Sequence, residues 1–348
     1  MNTLSALLII MIGVSANHQD RFIKFVNNHR KNVTATWKAQ LSSRFNYANS
    51  YELKSVLGIS SDFLKKDKHF NKFDGSEIDE NDVAQKPARL LQTALPASLD
   101  LRAKYPKCWS VATIRDQAGC GSCWAVSSMT ALSDRYCIKN SNSTKVVQRS
   151  FSYEDVLECC NNTICGSAGN GCNGGYMTGG YSYAQKVGVS SGENYNNFTS
   201  CKPYFLQPGT SASNAPTCNK ACANSATYKT VYANDLVKIA GYTILAGKTP
   251  LIASTNMMTA LNAGGSIIAY IDVYEDFFTY SSGIYQYTSG KYAGGHAIRI
   301  IGYGTDNGVN YWLVANSWGV YWGMSGFFKI IKGVNNVNIE AYPVQANL

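Results

Sequence analysis

The most informative stretch of this sequence is Gln117-Ala118-Gly119-Cys120-Gly121-Ser122-Cys123-Trp124. Its last residues begin an apolar segment without a helix breaker, which predicts a helix from Cys123 to about Ile138. At the start of a helix, unpaired backbone N–H groups and the helix dipole favour a thiolate over a thiol. Cys123 is therefore a candidate nucleophile toward amide carbonyls. The Cys120–Cys123 spacing leaves two alternatives open, a redox Cys-X-X-Cys pair and half of a zinc site.

A thiolate nucleophile needs an imidazole partner, and the chain contains four histidines, His18, His29, His69 and His296. The first three precede Pro96, in a part that we expect to be removed, so His296 is the candidate partner. Asn316 is the candidate third group, which would orient the imidazole. Gln117 is placed to donate its side-chain amide to a developing oxyanion, alongside the backbone N–H of Cys123.

The composition is that of a packed globular protein. Hydrophobic residues make up 45% of the 348 residues and charged residues only 15%, which excludes wholesale disorder. Lys and Arg number 31 against 22 Asp and Glu, a formal net charge of +9. No basic run interleaves with aromatic residues as a nucleic-acid surface would require. We therefore expect no nucleic-acid partner, and no motif implies a metal or an organic cofactor.

Residues 1–16 predict a signal peptide, because Leu4 to Val14 is apolar and Val14-Ser15-Ala16 supplies small residues for cleavage. The apolar run is shorter than the ~20 residues of a membrane-spanning helix, so no membrane partner is expected. Residues 17–94 predict an inhibitory propeptide, with its end between about 85 and 95. Its part from Asp20 to about Gly58 has roughly helical spacing of apolar residues, and a charged connector follows. Residues 95–348 would be the mature body, as in a secreted zymogen.

The cysteines lie in one part of the chain and indicate an oxidising compartment. All eleven lie between Cys108 and Cys222, so ten can pair and one is left over as a reactive thiol. Possible glycosylation sequons lie at Asn32, Asn142, Asn161 and Asn197. We expect the secretory pathway, ending in a lysosome-like vacuole or outside the cell.

The body divides into a helical, cysteine-rich first half and a second half with strand patterns. Further helices are predicted at Phe151 to Leu157, with Ser152 as its N-cap, and at Tyr181 to Val187. Gly166 to Gly180 is glycine-dense and is predicted to be a loop. Strands are predicted at Ile267 to Ile271, Ala297 to Tyr303, Tyr311 to Ala315 and Phe327 to Ile331.

Several motifs together resemble the papain family of cysteine peptidases, and within it the cathepsin B branch. They are Cys120-Gly121-Ser122-Cys123-Trp124, Leu95 to Asp100, Cys159-Cys160, Gly171 to Tyr176, Gly294 to Ile300 and Tyr311 to Trp318. The resemblance extends from about Leu95 to Val344 and disfavours the redox and zinc alternatives. It implies an α+β fold with a helical left domain, roughly 108–215, and a β-barrel-like right domain, roughly 216–348. The active site would lie in the cleft between them.

The resemblance also implies the roles of individual residues. The catalytic residues would be Cys123, His296, Asn316 and Gln117, and the substrate-binding residues would be Gly174, Gly175, Gly295, Trp318 and Tyr342. The disulfide bonds would be Cys108–Cys137, Cys120–Cys172, Cys159–Cys218, Cys160–Cys165 and Cys201–Cys222, which leaves Cys123 free. The partners would be protein and peptide substrates, the propeptide and cystatin-like inhibitors, with the protein itself a monomer.

Two departures from cathepsin B bear on specificity. The segment from Lys202 to Thr217 is short and holds no histidine, where cathepsin B has a loop whose histidine pair captures a C-terminal carboxylate. Asp116 thereby loses its histidine partner, and we expect an open cleft and endopeptidase activity. Tyr342 replaces a glutamate at the floor of the S2 pocket, so a hydrophobic P2 side chain should be preferred over arginine. The alternatives are a cathepsin B-type peptidyl-dipeptidase and a catalytically silent homologue that acts as a binding protein.

Overall fold

The computed structural model describes residues 19–28, 36–46, 48–59, 95–165, 169–223 and 226–348. The helices of this part are α1 (19–28), α2 (Ser50–Ser55), α3 (Leu101–Lys104), α4 (Cys123–Asn140), α5 (Tyr153–Cys159), α6 (Asn162–Cys165), α7 (Gly179–Lys186), α8 (Tyr232–Asp235) and α9 (Pro250–Gly264). Short 3-10 helices lie at Trp109–Ala112, Gly171–Asn173, Glu275–Thr279 and Asn336–Asn338. The predicted signal peptide and the predicted end of the propeptide lie outside the described residues.

The strands of the described part are β1 (Lys38–Ala39), β2 (Leu99–Asp100), β3 (Gly241–Ile244), β4 (Ile267–Tyr274), β5 (Tyr280–Ser282), β6 (Ile284–Tyr285), β7 (Tyr292–Asp306), β8 (Val309–Ala315), β9 (Phe327–Ile331) and β10 (Val344–Asn347). The main sheet has eight strands, with β3-β10-β4-β7-β8-β9-β6 in order and β2 paired with β7. All pairs are antiparallel except β6 with β9. The four predicted strands are present, each with equal or wider bounds.

Helix α4 passes through the protein interior, which explains its lack of a polar face. Its hydroxyl side chains do not need water, because they bond back to carbonyl oxygens one turn earlier in the helix. Ser128 donates to the Trp124 oxygen at 2.8 Å, and Ser133 donates to the Met129 oxygen at 2.7 Å. The helix begins at Cys123 as predicted and ends at Asn140, two residues beyond the predicted end.

Helix α5 begins at Tyr153, two residues later than its apolar pattern predicted. The hydroxyl of Ser152 accepts the backbone N–H of Asp155 at 2.9 Å, as expected of the predicted N-cap, so Phe151 precedes the helix. The glycine-dense region was predicted to be a loop up to Gly180, but α7 already begins at Gly179. A Cβ at Gly180 would lie 2.1 Å from the Ser128 hydroxyl, so close packing on α4 explains a glycine within a helix.

An ion pair in the interior joins helix α4 to strand β7. Arg299 on β7 and Asp134 on α4 are both buried, with 2.5 Å between their nearest atoms. Arg299 also donates to the carbonyl oxygens of Ser110 and Thr113, at 3.1 and 2.8 Å. Because breaking such a paired and hydrogen-bonded charge is costly, this contact holds the helix and the strand in a defined register.

The hydrophobic interior forms two clusters. One contains Trp124 and Tyr181 of the helical half and extends to Ile268 in the sheet. The other contains Trp312 and Phe328 of the sheet and the residues just after Pro96. The site described below lies where these two clusters meet.

The N-terminal segment, defined here as the described residues from 19 to 59, packs on the sheet side of the molecule. The predicted helix from Asp20 to about Gly58 is wrong in its middle, because β1 pairs there with β5, with Ala39 opposite Tyr280. Trp37 is fully buried, and its indole N–H donates to the Gln286 oxygen at 3.0 Å. These contacts with distant residues outweigh a local helical pattern.

The structure contains five disulfide bonds. They join Cys108 with Cys137, Cys120 with Cys172, Cys159 with Cys218, Cys160 with Cys165 and Cys201 with Cys222. This is the pairing that the family resemblance implied. Cys123 is the free cysteine, and it is buried.

Candidate active site

Cys123 and His296 are brought together by the first turn of α4 and the middle of β7. The backbone N–H of Ala297, the residue after His296, donates to the sulfur of Cys123 at 3.4 Å. The two residues are far apart in sequence but lie close together in the fold. Both are fully buried. The helix N-terminus favours a negative charge on the sulfur.

The His296 imidazole is oriented by Asn316, which directly follows β8. His296 Nε2 and Asn316 Oδ1 are 2.8 Å apart. The indole of Trp318 lies against the imidazole, with 4.8 Å between ring centroids, and is itself fully buried. The tryptophan therefore excludes water from the His296–Asn316 hydrogen bond, which strengthens this bond. His296 Nδ1 has no hydrogen-bond partner among the described residues and remains available for chemistry.

Gln117 is held by contacts at both ends of its side-chain amide. Its Oε1 accepts the hydroxyl of Ser317 at 2.5 Å, and its Nε2 donates to the Cys120 oxygen at 2.7 Å. The same Nε2 donates to the oxygen of Val56 in the N-terminal segment at 3.0 Å. The amide is thus fixed beside Cys123 and points one N–H at a carbonyl oxygen of another chain segment, as an oxyanion donor would.

The N-terminal segment passes directly over this site. The N–H of Gly175 donates to the Gly58 oxygen at 2.9 Å, and the N–H of Ile59 donates to the Gly295 oxygen at 3.2 Å. Gly58 approaches the backbone of Gly121 so closely that a Cβ would lie 1.9 Å from the Gly121 oxygen. Only a glycine fits at this crossing, and the segment fills the glycine-lined cleft that a peptide substrate would need.

The remaining predicted substrate-binding residues lie around Ile59. Gly174 contacts Gly58, since a Cβ at Gly174 would lie 2.9 Å from the Gly58 oxygen. Tyr342 is buried and belongs to one hydrophobic cluster with Ile59 and Tyr270. A Cβ at Gly295 would lie 2.7 Å from the Tyr270 ring. The Tyr270 ring therefore lies beside the place that Ile59 occupies, in the same hydrophobic cluster as Tyr342. Tyr270 was missed by the sequence analysis, because its position in an apolar strand gives no sign of this role.

Burial determines the protonation states of the catalytic pair in this form of the protein. It raises the pKa of the Cys123 thiol to about 11, against the opposing effect of backbone N–H groups of Ala297 and Gly58. It lowers the pKa of His296 to about 4, against the opposing effect of the hydrogen bond that the imidazole makes to Asn316 Oδ1. Burial thus favours the neutral thiol and the neutral imidazole over the thiolate–imidazolium pair that a cysteine nucleophile needs.

The segment from Lys202 to Thr217 holds no cation directed at the cleft. The Lys202 ammonium is buried and pairs with Glu158 at 2.6 Å and with Asp155 at 3.3 Å. Asp116, which the sequence left without its histidine partner, pairs instead with Arg44 of the N-terminal segment at 3.4 Å. The backbone N–H of Ala118 also donates to the Asp116 carboxylate, at 2.8 Å.

Two other residues of this site were missed by the sequence analysis. Ser317 positions the Gln117 amide, and its place next to Asn316 is the signal that would have found it. Arg44 lies in a segment whose contacts with the body cannot be read from local sequence.

The predicted glycosylation sequons lie on the surface where they are described. Asn142, Asn161 and Asn197 are exposed, and Asn32 lies outside the described residues.

Neither of two further features appears in the part of the chain that the structure describes. None of its helices is both long and apolar enough to span a membrane. Its histidine, cysteine and acidic side chains form no cluster suited to hold a metal ion.

Comparison with known proteins places this geometry in a family. Residues 95–347 match the model of the papain family of cysteine proteases. A gut-specific cysteine proteinase of Caenorhabditis elegans is 37% identical over 318 residues, which are 90% of this chain and 92% of that protein. Cathepsin B-like cysteine proteinase 4 of the same organism is 42% identical over 262 residues, 72% of this chain and 74% of that protein.

Solved proforms have the same fold. ProCathepsin B S9 from Trypanosoma congolense has a TM-score of 0.73 at 28% identity, over 94% of this chain and 97% of that one. Digestive procathepsin L 3 of Tenebrio molitor larval midgut has a TM-score of 0.68 at 20% identity, over 97% of this chain and 92% of that one, and bears on the fold alone. The predicted papain-like α+β fold is confirmed. The chain belongs to the papain family of cysteine proteases and is cathepsin B-like, with the fold of a zymogen.

Proposed function

We propose that this protein is a cysteine endopeptidase that uses Cys123, His296, Asn316 and Gln117. The observation that supports it most is the convergence of a free cysteine at a helix start, an imidazole held by Asn316 and a fixed amide donor. Each group alone has ordinary structural explanations, but together they supply nucleophile, acid–base group, orienting group and oxyanion donor.

In the proposed mechanism, the Cys123 thiolate attacks the scissile carbonyl carbon, and the carbonyl oxygen becomes an oxyanion. The Gln117 amide and the backbone N–H of Cys123 stabilise this oxyanion. The C–N bond then breaks as the His296 imidazolium donates its proton to the leaving amine. Water attacks the resulting thioester while His296 takes up its proton. Collapse of the second intermediate releases the acid and restores the thiolate.

The open primed side of the cleft supports endopeptidase rather than peptidyl-dipeptidase activity. Capture of a C-terminal carboxylate needs a cation or histidine near the end of the cleft. The Lys202 side chain is engaged with Asp155 and Glu158. A longer peptide can therefore extend past the site without meeting a free cation from the segment 202–217.

The pocket around Ile59 supports a hydrophobic P2 preference. Tyr270 and Tyr342 are neutral and belong to the same cluster as Ile59. The nearby Asp272 carboxylate is already engaged by the Tyr270 hydroxyl at 2.5 Å and by the Asn338 amide at 2.6 Å, so a charged P2 residue would need a further counter-ion. Burying an arginine there without a counter-ion would cost several kcal/mol. Protein and peptide substrates with an apolar P2 residue are the proposed class.

We propose that residues 17–94 form the inhibitory propeptide, removed after cleavage between about residues 85 and 95. Its described part occupies the cleft, where the Cys123 thiol is buried and its pKa is raised, which supports this role. A signal peptide at residues 1–16, five disulfide bonds and exposed sequons support a secretory route to a lysosome-like vacuole or the exterior. Cystatin-like inhibitors of the cleft and a monomeric state complete the proposal.

The test uses acid-activated protein and three substrates: an internal Phe-Arg reporter, an Arg-Arg reporter and a dipeptide-releasing peptide. Each is assayed with and without a thiol-directed epoxide. Epoxide-sensitive cleavage of the Phe-Arg reporter alone is the expected result. Dipeptide release would contradict the open cleft, and strong Arg-Arg hydrolysis would contradict the Tyr342 pocket. No cleavage after confirmed processing would favour a catalytically silent homologue.

A further inference from the structure

Asp116 lies next to the oxyanion donor Gln117 and is held rigidly there. Its backbone pairs with that of Trp318, and the flanking bonds run from the Gln117 N–H to the Ser317 oxygen at 2.9 Å and from the Gly319 N–H to the Arg115 oxygen at 3.1 Å. The carboxylate is therefore held at a defined place next to the oxyanion donor, without the entropic cost of ordering a loop.

The Asp116 carboxylate is partly exposed, with 17% of its side-chain surface accessible. A Cβ at Gly319 would lie 2.6 Å from Asp116 Oδ2, so the glycine allows this oxygen to lie close to the backbone. The neighbouring Arg115 is directed elsewhere, to Glu193 and Asn194, both at 2.8 Å. Within the described part of residues 95–348, no lysine or arginine pairs with Asp116. Its partner is Arg44, which belongs to the segment that we propose is removed.

Arg44 occupies this place in the manner of a bound side chain. Its guanidinium reaches the Asp116 carboxylate and lies over the Phe45 ring, 5.4 Å from the centroid. A groove of about 500 Å³ adjoins this contact and is lined on the body side by Ile114, Asn194, Leu206 and Tyr321. Removal of the N-terminal segment would leave an acidic group at the end of a groove large enough for a side chain.

The position of this groove along the cleft follows from the path of the N-terminal segment. Ile59 pairs with Gly175 and Gly295, Gly58 lies at Cys123, and Val56 lies at Gln117, whereas Arg44 lies beyond Gln117 on the other side. If the acyl part of a substrate pairs with the glycines, as proposed above, Asp116 faces the part of the peptide that leaves as an amine.

We propose that Asp116 is a specificity determinant that binds a cationic side chain of the substrate within the first three positions after the scissile bond. This inference rests on the proposed endopeptidase function and adds to it a substrate preference for basic residues on the leaving-group side. Asp116 acts by binding in this proposal and takes no part in bond making or breaking.

The test compares quenched fluorescent peptides that are identical except for arginine or its neutral isostere citrulline, scanned through the three positions. The ratio of kcat/KM for arginine over citrulline cancels any general change in activity. In the unmodified enzyme this ratio should reach about fivefold at one of the positions, as expected for a partly exposed ion pair. High salt should reduce it, because the Debye length falls to ~3 Å at 1 M.

In the D116N variant the ratio should fall to about one, since asparagine keeps an acceptor for the Ala118 N–H but loses the charge. The matched control D306N removes an equal charge at the β7–β8 turn, where Asp306 pairs with Lys329. It should keep the fivefold ratio.

A ratio near one at all three positions in the unmodified enzyme would overturn the inference, and so would a fivefold ratio that persists in D116N. If D116N does not fold, the arginine–citrulline ratio and its salt dependence in the unmodified enzyme still test the inference. No cleavage of either peptide by enzyme with a titratable thiol would overturn the endopeptidase proposal itself, which is a distinguishable result.

Discussion

The side-chain amide of Gln117 donates a hydrogen bond to the carbonyl oxygen of Val56, with 3.0 Å between the heavy atoms. The N-terminal segment thus places its own carbonyl at the donor that we propose for the oxyanion of a substrate. All the proposed catalytic groups are therefore in place, but the N-terminal segment occupies the site.

Replacement of Gln117 by alanine should reduce kcat of the processed enzyme about 10²–10³-fold with little change in KM, because the oxyanion forms only in the transition state. Ser317→Ala should cause a smaller loss, since the Gln117 amide would keep its contact with the Cys120 oxygen. Steady-state kinetics on a Phe-Arg reporter, normalised to titrated thiol, measure both. A raised KM with an unchanged kcat in the Gln117→Ala variant would contradict the role of Gln117 as oxyanion donor.

Replacement of Gly58 by alanine should weaken the cover, because the new methyl group would lie 1.9 Å from the Gly121 oxygen. In the full-length chain we expect faster labelling of Cys123 by a small alkylating reagent and faster acid activation. Gly209→Ala is a suitable control, since no atom lies within 4 Å of a Cβ there, although its positive φ carries some strain. Unchanged labelling in the Gly58 variant would show that the segment tolerates a side chain at this crossing.

The thiol of Cys123 should react slowly in the full-length chain at pH 8. Burial raises its pKa to about 11 from 9.0, which lowers the thiolate fraction about hundredfold at that pH. The rate should rise about tenfold per pH unit above pH 8. In the processed enzyme, pairing with His296 should allow reaction already below pH 7. Alkylation followed by intact-mass measurement is specific, because the other cysteines form disulfides. Identical pH profiles of the two forms would contradict the prediction.

Replacement of Tyr342 by glutamate should increase cleavage of the Arg-Arg reporter relative to the Phe-Arg reporter by about tenfold, because the buried arginine would gain a counter-ion. Tyr342→Phe serves as the control, since it keeps a neutral aromatic wall and should leave the ratio unchanged. A ratio that Tyr342→Glu does not alter would mean that this side chain does not contact the P2 residue.

Glu154 should make the protein less stable as the pH rises. Burial raises the pKa of this carboxyl, and the nearby Glu158 raises it further. Between its ordinary pKa of 4.5 and its raised value, the folded state holds a proton that the unfolded state has lost. Stability therefore falls with increasing pH through this window, by up to ~1.4 kcal/mol per pH unit.

Glu154→Gln is expected to leave the melting temperature nearly unchanged at pH 5 and to raise it at pH 8. Glutamine retains an acceptor for the Phe205 N–H, 3.2 Å away, and a donor for Glu158, so it mimics the protonated acid. Glu275→Gln, at an exposed carboxylate, is the control and should not change the pH dependence. Thermal unfolding at both pH values measures the effect, and equal shifts at pH 5 and pH 8 would contradict the assignment.

The amino-acid sequence alone determined the family and the candidate catalytic residues of this protein. This was possible because Gln117 and Cys123 lie in one short motif, while His296 and Asn316 lie in two others whose neighbours are equally distinctive. Local patterns also predicted four strands and helices α4 and α5. The starts of two helices were predicted less accurately. The Ser152 cap decides where α5 begins, and the packing of Gly180 on α4 allows α7 to begin at Gly179.

Only the tertiary structure decided how the cleft is covered and what Asp116 contacts. Arg44 and Asp116 are 72 residues apart, and Val56 and Gln117 are 61 apart, so no local pattern connects them. The same holds for β1, whose pairing with β5 overrides a helical spacing of apolar residues. Local sequence determines which chemistry a residue can perform. Distant packing determines whether that residue is exposed, paired or covered, because burial and neighbouring charge depend on the folded chain as a whole.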